Sequence, residues 1–323
     1  MVGRLRCRHR RSVFGPAPPQ PPPWLAEALE AQLGDDFWPL VDSLQHTAGL
    51  DVRVNTLQAK RADVQAELEK NSIAVVPTPF SPWGLRMNAK PNLSKLTLFE
   101  KGVIEVQDEG SQLLALLLDA KRGEMVADFC AGAGGKTLAL GAAMRNTGRL
   151  YAFDTSAHRL EAMKPRLARS GLSNIHPVAI AHERDDRIKR LRGKMDRVLV
   201  DAPCTGLGTL RRNPDLKWRQ TPEAVAELTV KQAAILASAA RLLKPGGRLV
   251  YATCSLLPAE NEEIAQAFSA AHPNFKPLLV KDLLTDFEVA NAEHLCTSEG
   301  LYLRLWPHRH GTDGFFAAAW VAA

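Results

Sequence analysis

Two cysteines in this chain stand where a nucleophile would be useful. Lys244-Pro-Gly-Gly-Arg-Leu-Val-Tyr-Ala-Thr-Cys-Ser255 reads as a helix end, a Gly-Gly turn, a buried parallel strand and a thiol, Cys254, at the strand's C-terminal tip. Asp201-Ala-Pro-Cys-Thr-Gly-Leu-Gly208 follows a second buried strand and sets Asp201 three residues before another thiol, Cys204. Open α/β sheets gather ligands outside the carboxyl ends of their strands, so these groups converge on one crevice. A thiolate there can add to an electron-poor carbon and form a covalent intermediate. The residues alone do not say which thiol attacks. A solitary cysteine is ordinarily a small buried hydrophobe, but two thiols and an acid at one sheet end are more than packing requires. The chain has five cysteines, Cys7, Cys130, Cys204, Cys254 and Cys296. An odd number with no close pair argues against a disulfide framework and a zinc knuckle, so no metal is expected.

A glycine turn supplies the second piece of chemistry. Met125-Val-Ala-Asp-Phe129 reads as a strand, followed by Cys130, Ala131, Gly132, Ala133, Gly134, Gly135 and Lys136, and a helix begins at Thr137. Glycines here let backbone approach a ligand and leave helix N–H groups free. Asp154 ends the next strand, where an acid accepts hydrogen bonds from ribose hydroxyls. The pair points to an adenosine-type ligand. Gly135-Lys136-Thr137 also resembles the end of a phosphate loop, but that motif needs a glycine where Cys130 stands, which argues against a nucleotide triphosphatase. The third piece is the loop Leu210-Arg-Arg-Asn-Pro-Asp-Leu-Lys-Trp218. Arg211, Arg212, Lys217 and Trp218 mix cations with an aromatic, a combination suited to phosphate contacts and base stacking.

These residues need a scaffold that presents them together. Strands at Met125–Phe129, Arg149–Asp154, Ile175–Ile180, Asp196–Asp201 and Arg248–Thr253 alternate with helices at Thr137, Ser156–Ser170 and Thr221–Leu243. That alternation predicts βαβ units and a parallel sheet. Leu301–Trp306 and Phe315–Val321 read as an antiparallel hairpin at the sheet edge. Upstream, Asp51–Leu57, Arg61–Lys70, Ile73–Val76 and Gly84–Met87 predict a small α/β module over residues 24–95, with helices between Trp24 and Gln45. The second domain then runs over 96–323. Residues 1–23 are Arg-rich and then Pro-rich and cannot pack a core, so a disordered arm is expected there.

With 323 residues, 46% hydrophobic and 24% charged, the chain is an ordinary soluble protein with room for two domains. No apolar run approaches the roughly 20 residues of a membrane span. The net charge is +6, but five arginines of the arm account for most of it. Local clustering matters more: Arg184 to Arg219 holds eleven basic and five acidic residues, a footprint for nucleic acid.

Asp128-Phe-Cys-Ala-Gly-Ala-Gly-Gly-Lys-Thr137, Asp201-Ala-Pro-Cys204, Tyr251-Ala-Thr-Cys-Ser255 and Gly311-Thr-Asp-Gly-Phe-Phe316 resemble the RNA cytosine-5 methyltransferases of the Sun/Nop family. Arg53-Val-Asn-Thr56 and Val106-Gln-Asp-Glu-Gly-Ser-Gln112 extend the resemblance back to about residue 50. It implies a Rossmann-like S-adenosylmethionine-dependent methyltransferase sheet and 5-methylcytosine as product, with ribosomal RNA as partner. It also implies that Cys130 to Lys136, Asp154 and Asp201 contact S-adenosylmethionine, that Cys254 is the nucleophile, and that Cys204 assists release. Two departures stand out. The family's Ala-Pro in the glycine turn is Gly132-Ala133 here, and the acid after the third strand is replaced around His182-Glu183. No room is left for the additional N-terminal helical domain of some members. A cytoplasmic monomeric enzyme is expected, the alternative being an inactive RNA-binding assembly factor on the same fold.

Overall fold

A computed structural model describes residues 21–323; the arm read at 1–23 lies almost wholly outside the described residues. Five strands form the parallel centre of the large sheet: β5 (Met125–Asp128), β6 (Arg149–Asp154), β7 (Ile175–Ala179), β8 (Met195–Asp201) and β9 (Leu243–Thr253). Four earlier strands make a separate sheet: β1 (Leu50–Val54), β2 (Val75–Pro77), β3 (Gly84–Met87) and β4 (Ile104–Val106). The late strands are β10 (Phe275–Leu278), β11 (Leu303–Leu305) and β12 (Phe315–Ala322). The large sheet runs β10-β12-β9-β8-β5-β6-β7, with β11 also paired to β12.

The pleat sorts the sheet's side chains onto two cores, as alternation requires. Val126, Leu199 and Val250 face the layer holding Leu113–Leu118. Ala127, Val198, Val200 and Tyr251 face Ile235, Leu236, Phe268 and Trp320. A strand buried on both faces reads as a continuous apolar run, which is why Val198–Val200 and Leu249–Ala252 are free of charge. Every parallel strand points the same way, so Asp128, Asp154, Asp201 and Thr253 all finish at one rim.

Four differences from the sequence expectation bear on the site. The edge strand of the small sheet, β4, lies beyond residue 95 and pairs with β1, Arg53 opposite Glu105. Periodicity in three residues cannot show which sheet they join. The helices Pro23–Leu33 and Phe37–Ser43 do not pack on the small sheet. Leu25, Leu29, Phe37, Leu40 and Val41 instead share a core with Leu207, Leu210, Val225, Leu256, Leu257 and Trp306, directly behind the loops that follow the two thiols. The C-terminal pair does form, Leu305 opposite Phe315. However, β12 is an interior strand between β9 and β10, and β10 comes from a stretch with no strand expectation. Finally, β9 begins earlier than Arg248: Leu243 pairs with Met195, and the Pro-Gly-Gly turn is an irregularity inside the strand.

Candidate active site

The glycine turn leaves β5 and enters the helix Gly135–Ala143. Gly132 has φ +55°, a left-handed conformation that suits glycine, and a Cβ there would meet nothing within 4 Å. The backbone is therefore open to a ligand. Asp154 holds the turn from β6: one carboxylate oxygen accepts from Gly132 N at 2.8 Å and the other from Ser156 N at 2.7 Å. Asp128 closes it from below. Its Oδ2 accepts from Thr137 Oγ1 at 2.7 Å, while its buried Oδ1 has no partner. Burial pushes the Asp128 carboxyl up to about 7, with the nearby Asp201 charge adding to it against the Thr137 bond and the Lys136 cation.

Asp201, at the tip of β8, binds the Lys136 ammonium at 2.6 Å. Lys136 therefore is not free to bind an anion; its side chain turns to the thiol crevice. Burial works against its charge, but Asp201 and then Cys254 outweigh it, and its affinity for the proton is raised. Cys204 Sγ and Cys254 Sγ lie 3.4 Å apart. The hydrogen bond with Cys254 is the largest influence on Cys204; burial and the charges of Cys254 and Glu260 follow, holding its thiol well above the ordinary range. Cys130, by contrast, belongs to the turn's backbone, and burial pushes its thiol far up. Cys296 is remote from the rim, pushed up to about 12 by burial.

The third and fourth motifs brace the thiols. Gly208 N donates to the carbonyl of Cys254 at 2.8 Å, and Gly314 N donates to Gly208 O at 2.9 Å. A Cβ on Gly208 would come within 2.1 Å of Gly314 O, so only glycine fits between them. Arg211 and Arg212, expected to face RNA, take part in this bracing. Arg212 donates to Asp313 at 2.6 Å, Asp108 at 3.0 Å and Gly49 O at 3.2 Å; Arg211 reaches Asp313 at 3.4 Å and Gly311 O at 3.2 Å. The reason is electrostatic: Asp108 and Asp313 are buried together, and Asp108 is pushed up to about 6 by burial and by Asp313, against Arg212. Trp218 is 59% exposed, and the half-buried Lys217 sets its ammonium 5.5 Å from the ring centroid. Near β7, Glu183 offers its carbonyl to Ser238, and Asp185 caps the helix Asp186–Lys189.

Asp128, Glu260 and the Gln107 contact were not singled out in the sequence. Asp128 stood in the open as the last acid of β5. Gln107, on the chain leaving β4, accepts from Arg53 Nε at 2.7 Å and lies beside Gly135. Among the described residues no group of three or more His, Cys, Asp or Glu could hold a metal ion, and no helix is long and apolar enough to cross a membrane.

Comparison with known proteins agrees with this architecture. Residues 115–321 match the family model "16S rRNA methyltransferase RsmB/F", and residues 21–94 match the ferredoxin-like domain of RsmF/B-like methyltransferases. The "probable ribosomal RNA small subunit methyltransferase B" of Synechocystis sp. is 35% identical over 301 residues, covering 92% of this chain and 66% of that one. Its counterpart in Bacillus subtilis is 35% identical over 82% of this chain and 58% of its own length. The chain thus spans 58–66% of the length of these relatives. A methyltransferase homologue from Pyrococcus horikoshii superposes with a TM-score of 0.78 at 29% identity, covering 93% of this chain and 95% of that one. The fold of NSun6 from Pyrococcus horikoshii gives 0.79 at 22% identity, covering 93% and 98%.

Proposed function

Because this chain belongs to the 16S rRNA methyltransferase RsmB/F family, we propose that it methylates C5 of a cytosine in RNA, with small-subunit ribosomal RNA as substrate and S-adenosylmethionine as donor. The observation that carries the reading is the pair of thiols 3.4 Å apart beside an Asp–Lys pair and an open glycine turn. The residues present fit a cationic donor better than a nucleotide phosphate. Asp128, Asp154 and Asp201 line the rim, an acid oxygen is left unpartnered, and the one lysine of the turn is bound to Asp201. The open backbone at Gly132, with Asp154 and Asp201, would hold S-adenosylmethionine, which when bound supplies a methyl group activated by a positive sulfonium.

The chain's own residues supply the rest. C5 of cytosine is too electron-poor to take a methyl group directly. The Cys254 thiolate forms a bond to C6, and the displaced electron pair makes C5 a carbon nucleophile. Lys136, bound to Asp201, is the cation beside this thiol. Asp201 accepts a hydrogen bond from the exocyclic amine of the base and steadies the shift. Bonding of Cys254 to carbon removes the hydrogen bond and the charge that hold Cys204 protonated. Cys204 can then release its proton to solvent and take the one on C5. The electrons of that C–H bond rebuild the C5–C6 double bond and expel the Cys254 thiolate.

Separating the two thiols tests the reading. The Cys204→Ala variant should accumulate a denaturation-resistant protein–RNA complex that requires S-adenosylmethionine, and the additional Cys254→Ala change should abolish it. Trapping by Cys254→Ala, with Cys204→Ala merely inactive, would exchange the roles. Absence of any methyl transfer to undermethylated ribosomal RNA would favour the assembly-factor alternative.

A further inference from the structure

The glycine turn has a further hold besides Asp154 and Asp128. Ala133 is exposed, yet its carbonyl accepts from Arg166 Nη1 at 2.6 Å. Arg166 lies on the helix Ala157–Ser170, three residues after Met163 and so on the same helix face. A Cβ on Gly134 would come within 2.6 Å of the Met163 side chain. One helix face therefore backs the turn at two successive residues. The turn has little stiffness of its own: Gly132-Ala133 stands where the family carries Ala-Pro, so no proline ring fixes φ there.

Arg166 is itself fixed by the other sheet. Glu105, in the middle of β4, is buried. Its Oε2 accepts from Arg166 Nε at 3.2 Å and from Arg166 Nη2 at 2.9 Å. Its Oε1 accepts from Arg169 Nε at 2.9 Å and from Arg169 Nη2. Two guanidinium forks offset the cost of burying this carboxylate. Arg166 thus turns two nitrogens to Glu105 and the third to Ala133. Arg169 shares Glu105 and lies over the Phe99 ring at 4.3 Å, but among the described residues it makes no bond to the turn. Two residues beyond Glu105, Gln107 Nε2 is 3.9 Å from where a Cβ on Gly135 would stand. The small sheet therefore reaches the turn twice, through Arg166 to Ala133 and directly at Gly135.

We propose that Arg166 is a positioning residue for the methyl donor and that Glu105 is its anchor, so that the turn keeps its donor-binding shape only while β4 is seated against the helix Ala157–Ser170. Glu105 sets the direction of the guanidinium, and the guanidinium holds the Ala133 carbonyl between Gly132 and Gly134, which both take left-handed φ values, +55° and +87°. The small sheet thereby contributes to donor affinity through the turn. This rests on the donor site proposed above and is independent of the thiol chemistry.

Calorimetry of S-adenosylmethionine binding to the whole chain tests it. Arg166→Ala should raise Kd about tenfold, the scale of one lost bond from a charged donor. Glu105→Ala should act by a similar factor, and the double variant should be no worse than either alone. Arg169→Ala removes the other half of the Glu105 pairing; it should unfold at lower urea yet keep the wild-type Kd. Equal loss of affinity in Arg166→Ala and Arg169→Ala would mean a merely structural role, and unchanged affinity in Arg166→Ala would equally overturn the proposal. A second measurement needs no variant. On binding S-adenosylmethionine, amide hydrogen exchange in the wild type should slow at β4 and not at β2, the opposite edge of the small sheet. No slowing at β4, or equal slowing at both edges, would break the link between turn and sheet. A wild type that binds no S-adenosylmethionine would reject the donor site itself, and this inference with it.

Discussion

Asp128 offers a stability test whose size can be worked from its surroundings. The perturbation is Asp128→Asn, which keeps an acceptor for Thr137 Oγ1 and places an amide where the unpartnered Oδ1 lies. A carboxyl of this type releases its proton near 3.8 in the unfolded chain and only at about 7 in the folded one, chiefly because of burial. Across that window folding takes up a proton, so stability is greatest below about pH 4 as far as this group is concerned, and falls as pH rises through 7. The full interval is worth roughly 4 kcal/mol, of which about 2–3 kcal/mol falls between pH 5 and pH 8. The asparagine does not titrate. The stability of Asp128→Asn minus that of the wild type should therefore grow by about 2–3 kcal/mol from pH 5 to pH 8. Urea unfolding at both pH values, compared at equal slope, measures it. A difference that stays constant with pH would refute the reasoning, because Asp128 would then titrate like an ordinary carboxyl.

Two further outcomes follow from the site. Asp154→Ala removes the acceptor for Gly132 N and Ser156 N and should weaken S-adenosylmethionine binding by roughly 1–3 kcal/mol; unchanged affinity by calorimetry would exclude Asp154 from the donor site. Trp218→Ala should lower RNA affinity by about 1–3 kcal/mol, the scale of one base stack, and leave donor affinity as it was. Equal RNA binding in a filter assay would assign that loop to the bare surface.

The parallel sheet was legible because apolar cores such as Val198–Val200 and Leu249–Ala252 alternate with helices, and Asp128, Asp154 and Asp201 end their strands. The same rule brought Asp154, Asp201, Cys204 and Cys254 to one rim without any contact being known. What escaped was everything set by partners distant in sequence. Glu260 is one acid in a run of four polar residues, Glu260 to Glu263, and nothing local distinguishes a carboxylate that meets four buried donors from one in water. Three residues at 104–106 cannot declare a sheet. Strand β10, Phe-Lys-Pro-Leu, carries a proline that lowers any strand expectation, and only the edge of β12 makes it one. Leu25, Leu29 and Leu40 announced an apolar helical face, but not that Leu207 and Leu256 would cover it.

The arginines show how local composition and tertiary contacts differ. A cation–aromatic loop beside a reactive crevice fits nucleic acid by composition, but composition does not count the acids that fold back onto the loop. Asp108 and Asp313 bury their carboxylates against Arg212, which pairs with both. Arg212 therefore serves the frame first. It ties the segment after Cys204 to Asp108 at the start of the helix Glu109–Leu118, and to Gly49 beside β1 of the small sheet. Four residues earlier in the same segment, Gly208 N holds the Cys254 carbonyl. A short run of hydrogen bonds thus connects the small sheet to the backbone of the candidate nucleophile. On the proposed function, a cytosine set against the thiols is located by the frame that also holds the small sheet.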